Sequence, residues 1–218
     1  MNDTEKERLE RYKSAMGVEL SQAYAELTQN LTYVRVVWHQ YRQLFGTDEE
    51  TIKLLNRTSG LFFNIVENEL WDMVLIAISR ISEPKEYKGR NPRKNFNLNS
   101  LPELLTDETL RRCVERDLAI VDRLAEDARL HRNRRIAHQD DIYVKTRHEA
   151  DALPPISRAN IEEALHALAK VLNNIERHYL GSETNYSYFI TIDGAETLLQ
   201  KLRRLEELEE QHIGWKRP

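Results

Sequence analysis

The 218 residues are 31% charged and 40% hydrophobic, and 7 glycines and 6 prolines leave few turn formers among many good helix formers. This composition is typical of an all-α protein. The net charge of −4 argues against a protein that coats nucleic acid through a broad positive surface, although a local basic site is compatible with it. The single cysteine excludes an internal disulfide framework and a cysteine-based zinc site.

The N-terminal residues MNDTEKERLERYK are charged from the start, which argues against a signal peptide. The longest apolar run, Met73 to Ile78, is far shorter than the roughly 20 residues that are needed to cross a bilayer. We therefore expect a cytoplasmic protein without membrane contact.

A helical period of apolar residues runs from about residue 4 to Phe45. The apolar positions are Leu9, Tyr12, Met16, Leu20, Tyr24, Leu27, Leu31, Val34, Trp38, Tyr41 and Phe45. Their spacing of three or four residues predicts a long helical segment with one buried face, and Gly46 is expected to end it.

A second long helix is predicted to follow. Thr47 begins a capping-box pattern, in which its hydroxyl bonds a free backbone amide while Glu50 reaches back. The helix is expected to run to about Ser82 with a kink near Gly60, and Pro84 stops it.

The helical period of apolar residues is interrupted in the middle of the chain. Residues 85–99 are basic and rich in asparagine without an apolar period, which predicts a loop. The loop is interpreted as a solvated connector, with extra phosphate contact as the functional alternative. Residues 101–105 are expected to form a short helix, and Thr106 or Asp107 then caps a long helix that reaches about Ile136.

The last third contains two more predicted helices. Ser157 caps the first of them, and Gly181 terminates it. The segment Tyr186 to Ile192 is rich in β-formers, so we expect a short extended piece there. Asp193 is expected to cap the final helix, whose charged tail favours a solvated or oligomerising role.

Cationic and titratable groups are concentrated in the run RNRRIAH, from Arg132 to His138. Arginines bind phosphate through a fixed fork of donors. A histidine beside them can transfer a proton near neutral pH. Together they form a minimal set of groups for cleaving a phosphodiester. The other histidines share no spacing that would make a metal site, so we expect neither a metal nor another cofactor.

Helix geometry restricts how this run can work. Each helical residue advances about 100°, so His138 lies roughly 120° from Arg132 on a straight helix. For the two to cooperate, either the helix ends or unwinds within the motif, or two chains assemble the site. Antiparallel pairing of two such helices about a two-fold axis would bring both motifs into one cleft. We therefore expect a homodimer.

The motif resembles that of the HEPN superfamily (higher eukaryotes and prokaryotes nucleotide-binding), in which arginine is followed by a polar residue, several spacers and histidine. Arg132, Asn133 and His138 fit this pattern. More narrowly, the chain resembles the AbiU-type abortive-infection branch over roughly residues 15 to 180. This resemblance depends on three segments in order, namely ISRISEP (78–84), NFNLNSLPELL (95–105) and RNRRIAHQD (132–140).

The resemblance implies an all-α, HEPN-like helical bundle with long antiparallel helices in residues 1–180. Residues 181–218 would then form a C-terminal extension with a short extended segment and a charged helix. It also implies a metal-independent endoribonuclease of the abortive-infection or toxin type. Its composite R-N-x4-H site would lie at a dimer interface, and an antitoxin or regulatory protein would be a further partner.

By the same resemblance, Arg132 would bind the scissile phosphate and stabilise its developing charge. His138 would act as general base or acid on the 2′-hydroxyl or the leaving 5′-oxygen, leaving a 2′,3′-cyclic phosphate. Asn133 would orient the substrate or fix the histidine, and Asp140 would orient the imidazole.

Further arginines are expected to support the site. Arg80 would face the same cleft by resemblance, and Arg134 and Arg135 are interpreted as solvated or phosphate-adjacent charges. One position departs from related toxins, which commonly carry a tyrosine two residues after the histidine where this chain has Asp140. Control by modification of such a tyrosine is therefore not expected.

Other function classes remain open. The chain could be a non-catalytic HEPN-type domain that binds nucleotide, RNA or another protein, or an antitoxin or scaffold helical bundle. The presence of both Arg132 and His138 favours the ribonuclease, because a degenerate binding domain would be free to lose the histidine. The net negative charge favours a confined site over a broad binding surface.

Overall fold

The computed structural model describes residues 4–83, 96–137, 153–188 and 193–211. All regular secondary structure in these ranges is helical, which confirms the all-α prediction. The helices are α1 (Glu5–Met16), α2 (Val18–Phe45), α3 (Glu49–Ser82), α4 (Glu108–Leu124), α5 (Glu126–His131), α6 (Arg158–Leu180) and α7 (Ala195–Gln211). Short 3₁₀ turns lie at Leu98–Ser100 and Pro102–Leu104, and a π-helical turn, Arg132–Ile136, follows α5. No helix within the described ranges is both long and apolar enough to cross a bilayer.

The chain divides into two compact units. The first contains Met1–Arg35 and Leu75–Ser187, and the second contains Val36–Val74 and Tyr188–Pro218. Helices α2 and α3 each contribute residues to both units. The predicted division after residue 180 concerns the extent of the family domain, and it stays a prediction.

The first predicted helical segment is interrupted once, at Gly17. This residue has a φ of +79°, which favours glycine, and its amide donates to the carbonyl of Lys13 at 3.0 Å. The predicted apolar face nevertheless continues across the break, since every apolar position expected between residue 4 and Phe45 is buried except the half-buried Leu9. The period locates the core correctly but does not reveal that two helices share it.

Helix α3 begins one residue later than the capping-box pattern predicts. Asp48, rather than Thr47, supplies the cap, because its Oδ1 accepts from the Thr51 amide at 2.7 Å and its Oδ2 accepts from the Thr51 hydroxyl at 3.1 Å. The bond from the Thr51 amide is the largest cause of a lowered pKa of the Asp48 carboxyl. The expected kink is confirmed at Ser59, which has φ −163° and ψ 76° and directly precedes Gly60.

The next predicted long helix is divided in two. Asp107 caps α4 as expected, accepting from the Leu110 amide at 2.6 Å. The regular helix then breaks at Ala125, a residue 1% exposed with φ −94° and ψ 0°, before α5 begins. Alanine is a strong helix former, so the amino-acid sequence around Ala125 gives no sign of this break.

The predicted ends of α6 are confirmed. Ser157 and Asn160 form a reciprocal capping box, with the Asn160 amide donating to Ser157 Oγ at 3.1 Å and the Ser157 amide donating to Asn160 Oδ1 at 2.9 Å. Gly181 ends the helix in the left-handed conformation with a φ of +65°.

The segment before α7 differs from its prediction where it is described. Tyr186 and Ser187 form a turn rather than an extended strand, and residues 189–192 of the expected extended piece lie outside the described residues. The observed contact at the first amide of α7 comes from Gln40, whose Oε1 accepts from the Ala195 amide at 2.6 Å. A cap by Asp193 was expected at this end.

In the first unit, α4 and α6 pack against each other in an antiparallel arrangement. Asp117 of α4 accepts from Lys170 at 3.0 Å and from Asn174 at 2.6 Å, whereas Leu124, further along α4, lines a small cavity with Ile161, near the start of α6. Asp117 is 2% exposed, so both of its donors compensate a buried charge. The predicted antiparallel bundle is thereby confirmed for this pair.

A buried carboxylate joins three parts of the first unit. Glu176 of α6 is 6% exposed, and its Oε2 accepts from the Tyr24 hydroxyl of α2 at 2.9 Å. The same oxygen accepts from the amide and hydroxyl of Thr184, and Oε1 accepts from the Ser182 hydroxyl at 2.9 Å. Burial is the main cause of a raised pKa of Tyr24. Glu176 thus fixes the segment after α6 against α2.

In the second unit, aromatic side chains join the end of α2 to α3. Trp38 and Tyr41 stack with ring centroids 5.2 Å apart, and Trp71 lies 5.4 Å from Tyr41. Offset and tilted rings of this kind add to the apolar area that they bury. Arg57 of α3 forms a two-pronged ion pair with Glu206 of α7, at 2.9 and 3.1 Å.

Glu176→Gln is expected to lower the free energy of unfolding by about 1–2 kcal/mol, because the neutral amide loses the charge that strengthens these buried hydrogen bonds and keeps only one accepting oxygen. Urea denaturation would measure the change. Glu163→Gln, an exposed position on the same helix, is the matched control and should change stability by less than about 0.5 kcal/mol. Equal effects of the two substitutions would show that the Glu176 contacts do not stabilise the fold.

Candidate functional site

The motif run begins in a π-helical turn. The regular ladder of α5 ends at His131, and the Ala137 amide donates to the Arg132 carbonyl, five residues back, at 2.8 Å. Single π turns are rare in proteins. Where they occur, they frequently lie at functional sites. Within the described residues, the regular α-helical hydrogen bonding therefore gives way to a π turn at the start of the motif.

Arg132 is held by the end of α3. Its Nε donates to the hydroxyl of Ser79 at 3.1 Å, and its Nη2 forms an ion pair with Glu83. Ser79 is fully buried, while the side chains of Arg132 and Glu83 are 30% and 22% exposed. Burial lowers the pKa of the Arg132 guanidinium, which stays charged because arginine titrates far above neutral pH. Ser79 and Glu83 stand one helical turn apart and hold the guanidinium from one side.

The carbonyls at the end of α3 are also held from outside the helix. Arg129 Nη1 donates to the carbonyl and to the hydroxyl of Ser82, both at 3.2 Å, and its Nη2 donates to Asp122 Oδ1 at 2.8 Å. Asn99 Nδ2 donates to the Glu83 carbonyl at 2.8 Å and to that of Ser82 at 3.4 Å. The last carbonyls of a helix lack partners within it, so these donors satisfy them and fix the backbone that carries Glu83.

His131, the last residue of α5, is half-buried. Its Nε2 lies 2.8 Å from the carbonyl of Pro154, and its Nδ1 accepts from Arg135 Nε at 3.4 Å. This pairing requires the proton on Nε2. Arg135, predicted to be solvated or phosphate-adjacent, is half-buried against this ring.

Two members of the predicted site project into solvent beside Arg132. Asn133 and Arg134 are both exposed. Arg80 is exposed as well, and its Nη2 donates to Asn30 of α2 at 3.3 Å, whereas Ser79 next to it contacts Arg132. The structure therefore brings together Arg132 and its immediate neighbours and directs the observed contact of Arg80 toward α2.

The predicted proton-transfer residue, His138, lies outside the described residues, as does Asp140. Their roles beside Arg132 stay predictions. Among the described residues, no three His, Cys, Asp or Glu side chains come together in a way that could hold a metal ion.

Sequence reasoning missed three residues that shape the site, namely Ser79, Glu83 and Arg129. A signal for two of them was present, because Ser79 and Glu83 stand four residues apart in ISRISEP and share one helix face. The sequence analysis instead selected Arg80, which lies between them, because of its positive charge. Arg129 gave no such signal, since its partner Ser82 is distant in the sequence.

Residues of the three segments that carry the family resemblance meet around the end of α3. ISRISEP supplies Ser79 and Glu83, the asparagine-rich segment supplies Asn99, and the arginine-rich run supplies Arg132. The family model HEPN_AbiU2, described as AbiU2, matches residues 14–198. The chain belongs to this HEPN family.

The match begins within α1, ends within α7 and includes all three of these segments. It extends beyond the predicted domain boundary at residue 180 into the start of the last helix. The all-α helical fold and the AbiU-type resemblance are confirmed. Comparison with curated proteins found no match, and comparison with solved structures found none.

Arg129→Met is expected to destabilise the protein by about 2 kcal/mol, because the Ser82 hydroxyl and the Asp122 carboxylate both lose a charged donor. The free energy of unfolding in urea measures this. Arg134→Met removes the same charge from an exposed position and should cost less than about 0.5 kcal/mol. If the exposed substitution costs as much, the hydrogen bonds of Arg129 do not hold the end of α3.

Proposed function

We propose that the chain is an abortive-infection endoribonuclease that needs no metal for catalysis. The observation that supports this most is the guanidinium of Arg132, which the buried hydroxyl of Ser79 orients at a partly exposed π turn. A held guanidinium loses little freedom when it binds a phosphate, so its charge is available as the transition state forms. Membership of the HEPN AbiU2 family supports the same assignment.

The proposed reaction is general acid–base cleavage of RNA. His138 takes the proton from the 2′-hydroxyl or delivers one to the leaving 5′-oxygen. Arg132 neutralises the charge that develops on the phosphate. The attacking oxygen belongs to the substrate itself, so the product is a 2′,3′-cyclic phosphate and no activated water is required. Asn133, which is exposed beside Arg132, is proposed to orient the substrate, and Asp140 is proposed to orient the imidazole.

The remaining arginines of the run contribute to binding in this proposal. Arg134 is exposed and can contact a neighbouring phosphate. Arg135 supports the ring of His131 and adds positive charge nearby. Arg80, on α3, extends the same charge toward α2.

We propose further that the active form is a homodimer with the site at its interface. The support comes from helix geometry, because residues six apart such as Arg132 and His138 cannot share one face of a straight helix, whereas two-fold pairing of two such helices would bring both motifs into one cleft. The proposed setting is the cytoplasm, with RNA as substrate and an antitoxin or regulatory protein as a further partner.

A non-catalytic, HEPN-type module for binding nucleotide, RNA or protein is the second candidate. One observation favours it, namely the ion pair of Arg132 with Glu83, which already compensates the charge of the arginine. An arginine that serves only to fix a helix end would show the same contact.

Purified protein is expected to cleave single-stranded RNA in excess EDTA and to leave 2′,3′-cyclic phosphate ends. Arg132→Ala and His138→Ala should each lower the rate by at least about 100-fold, since each removes one arm of the transition-state stabilisation. Arg112→Ala, at an exposed arginine of α4 outside the motif, is the matched control and should keep the rate within about twofold. Equal inactivity of all four proteins, together with unimpaired RNA binding, would favour the non-catalytic module.

The dimer proposal has its own test, in which the two inactive variants are mixed. If Arg132 of one chain works with His138 of its partner, mixed dimers regain one intact site. Random exchange should then restore about a quarter of the wild-type activity. The rate of RNA cleavage after co-refolding measures this. No recovery in a mixture that demonstrably forms mixed dimers would place both residues in sites within one chain.

A further inference from the structure

Arg132 already holds an anion that belongs to its own chain. Its Nη2 forms an ion pair with the carboxylate of Glu83, and its Nε donates a hydrogen bond to the hydroxyl of Ser79. Carboxylates and phosphates bind the guanidinium through the same fork of donors. Glu83 therefore stands where a substrate phosphate would gain most from Arg132.

The two partners of Arg132 differ in how they can be displaced. Ser79 is fully buried, neutral and inside a helix, so it can keep its bond while a ligand enters. Glu83 is at the solvent side, 22% exposed, and follows the last residue of α3. Its backbone is fixed through the bond from Asn99 to its carbonyl at 2.8 Å. Because Asn99 holds the backbone and not the carboxylate, displacement of the carboxylate from Arg132 requires no movement of the main chain.

The geometry points to Glu83 as an internal competitor that occupies Arg132 until a substrate phosphate displaces it, and that thereby sets the affinity of the site for RNA. This inference rests on the proposed function in so far as the displacing ligand is RNA. It assigns Glu83 a positioning and specificity role, because the residue acts through Arg132.

The competitor favours polyanions over small anions. A free phosphate must replace the carboxylate using Arg132 alone, so it exchanges one ion pair for another and gains little. A strand of RNA brings neighbouring phosphates and bases, which can reach the exposed Asn133 and Arg134 at the same time. The added contacts give a nucleic acid the surplus that a single anion lacks.

Glu83→Gln is the direct test. The amide oxygen can still accept from Arg132, so the fold should be kept, but the competing charge is removed. The probe is a fluorescent single-stranded oligodeoxynucleotide, which lacks the attacking 2′-hydroxyl and is therefore bound without being cut. We expect Glu83→Gln to bind it about fivefold more tightly than the wild type, the size typical of losing a partly exposed ion pair.

Two controls separate this effect from the general loss of a negative charge. Glu126→Gln makes the same charge change at an exposed residue in the first turn of α5 and should leave the affinity within about twofold. In an Arg132→Ala background, adding Glu83→Gln should have no effect, because the group for which Glu83 competes is gone. Glu83→Ala serves as a second variant, and circular dichroism and thermal melting confirm that each variant is folded.

An affinity of Glu83→Gln equal to or below that of the wild type would overturn the inference, as would tighter binding that persists without Arg132 or that Glu126→Gln reproduces. The binding experiment is independent of catalysis. Tighter binding by Glu83→Gln with no RNA cleavage by any variant would retain the competitor and reject the ribonuclease. Cleavage that depends on Arg132, with no effect of Glu83→Gln on binding, would retain the ribonuclease and reject Glu83 as a competitor.

Discussion

The end of α3 is the place on which the candidate site depends. A helix ends with carbonyls that lack partners of their own, and here Asn99 and Arg129 donate to them from two other segments of the chain. The same turn of α3 presents Ser79 and Glu83 to Arg132. One helix end thus receives its missing hydrogen bonds and holds the arginine of the motif. A change in the geometry of this helix end would disrupt both the hydrogen bonds from Asn99 and Arg129 and the contacts to Arg132.

The arginines of the motif region serve different purposes, although they look alike in the sequence. Arg129 is mostly enclosed and makes structural hydrogen bonds to Ser82 and Asp122. Arg134 is exposed. Arg132 stands between these extremes, because the buried Ser79 orients its guanidinium while its side chain is 30% exposed. An intermediate position of this kind suits a residue that must be both placed and reachable, because orientation lowers the entropic cost of binding and exposure admits the ligand.

Much of the fold could be predicted because helical burial follows from the local period of apolar residues. The positions between residue 4 and Phe45 show this, as do the confirmed cap at Ser157 and terminus at Gly181. The break at Ala125 could not be predicted, since alanine favours a helix and its surroundings decide otherwise. The capping position of α3 shifted by one residue because Asp48 and Thr47 are both good caps, and only the folded geometry selects between them.

The sequence by itself determined the all-α class, the core faces of the helices and the three segments that identify the HEPN family. Each of these depends on a local property, namely the composition, the apolar period or a short motif. Only the tertiary structure decided that these segments meet at the end of α3. It also decided that Ser79 and Glu83, rather than Arg80, are the residues of ISRISEP that contact Arg132. The physical reason is that an ion pair between residues far apart in the chain depends on where two helices end relative to each other. No local pattern carries that information.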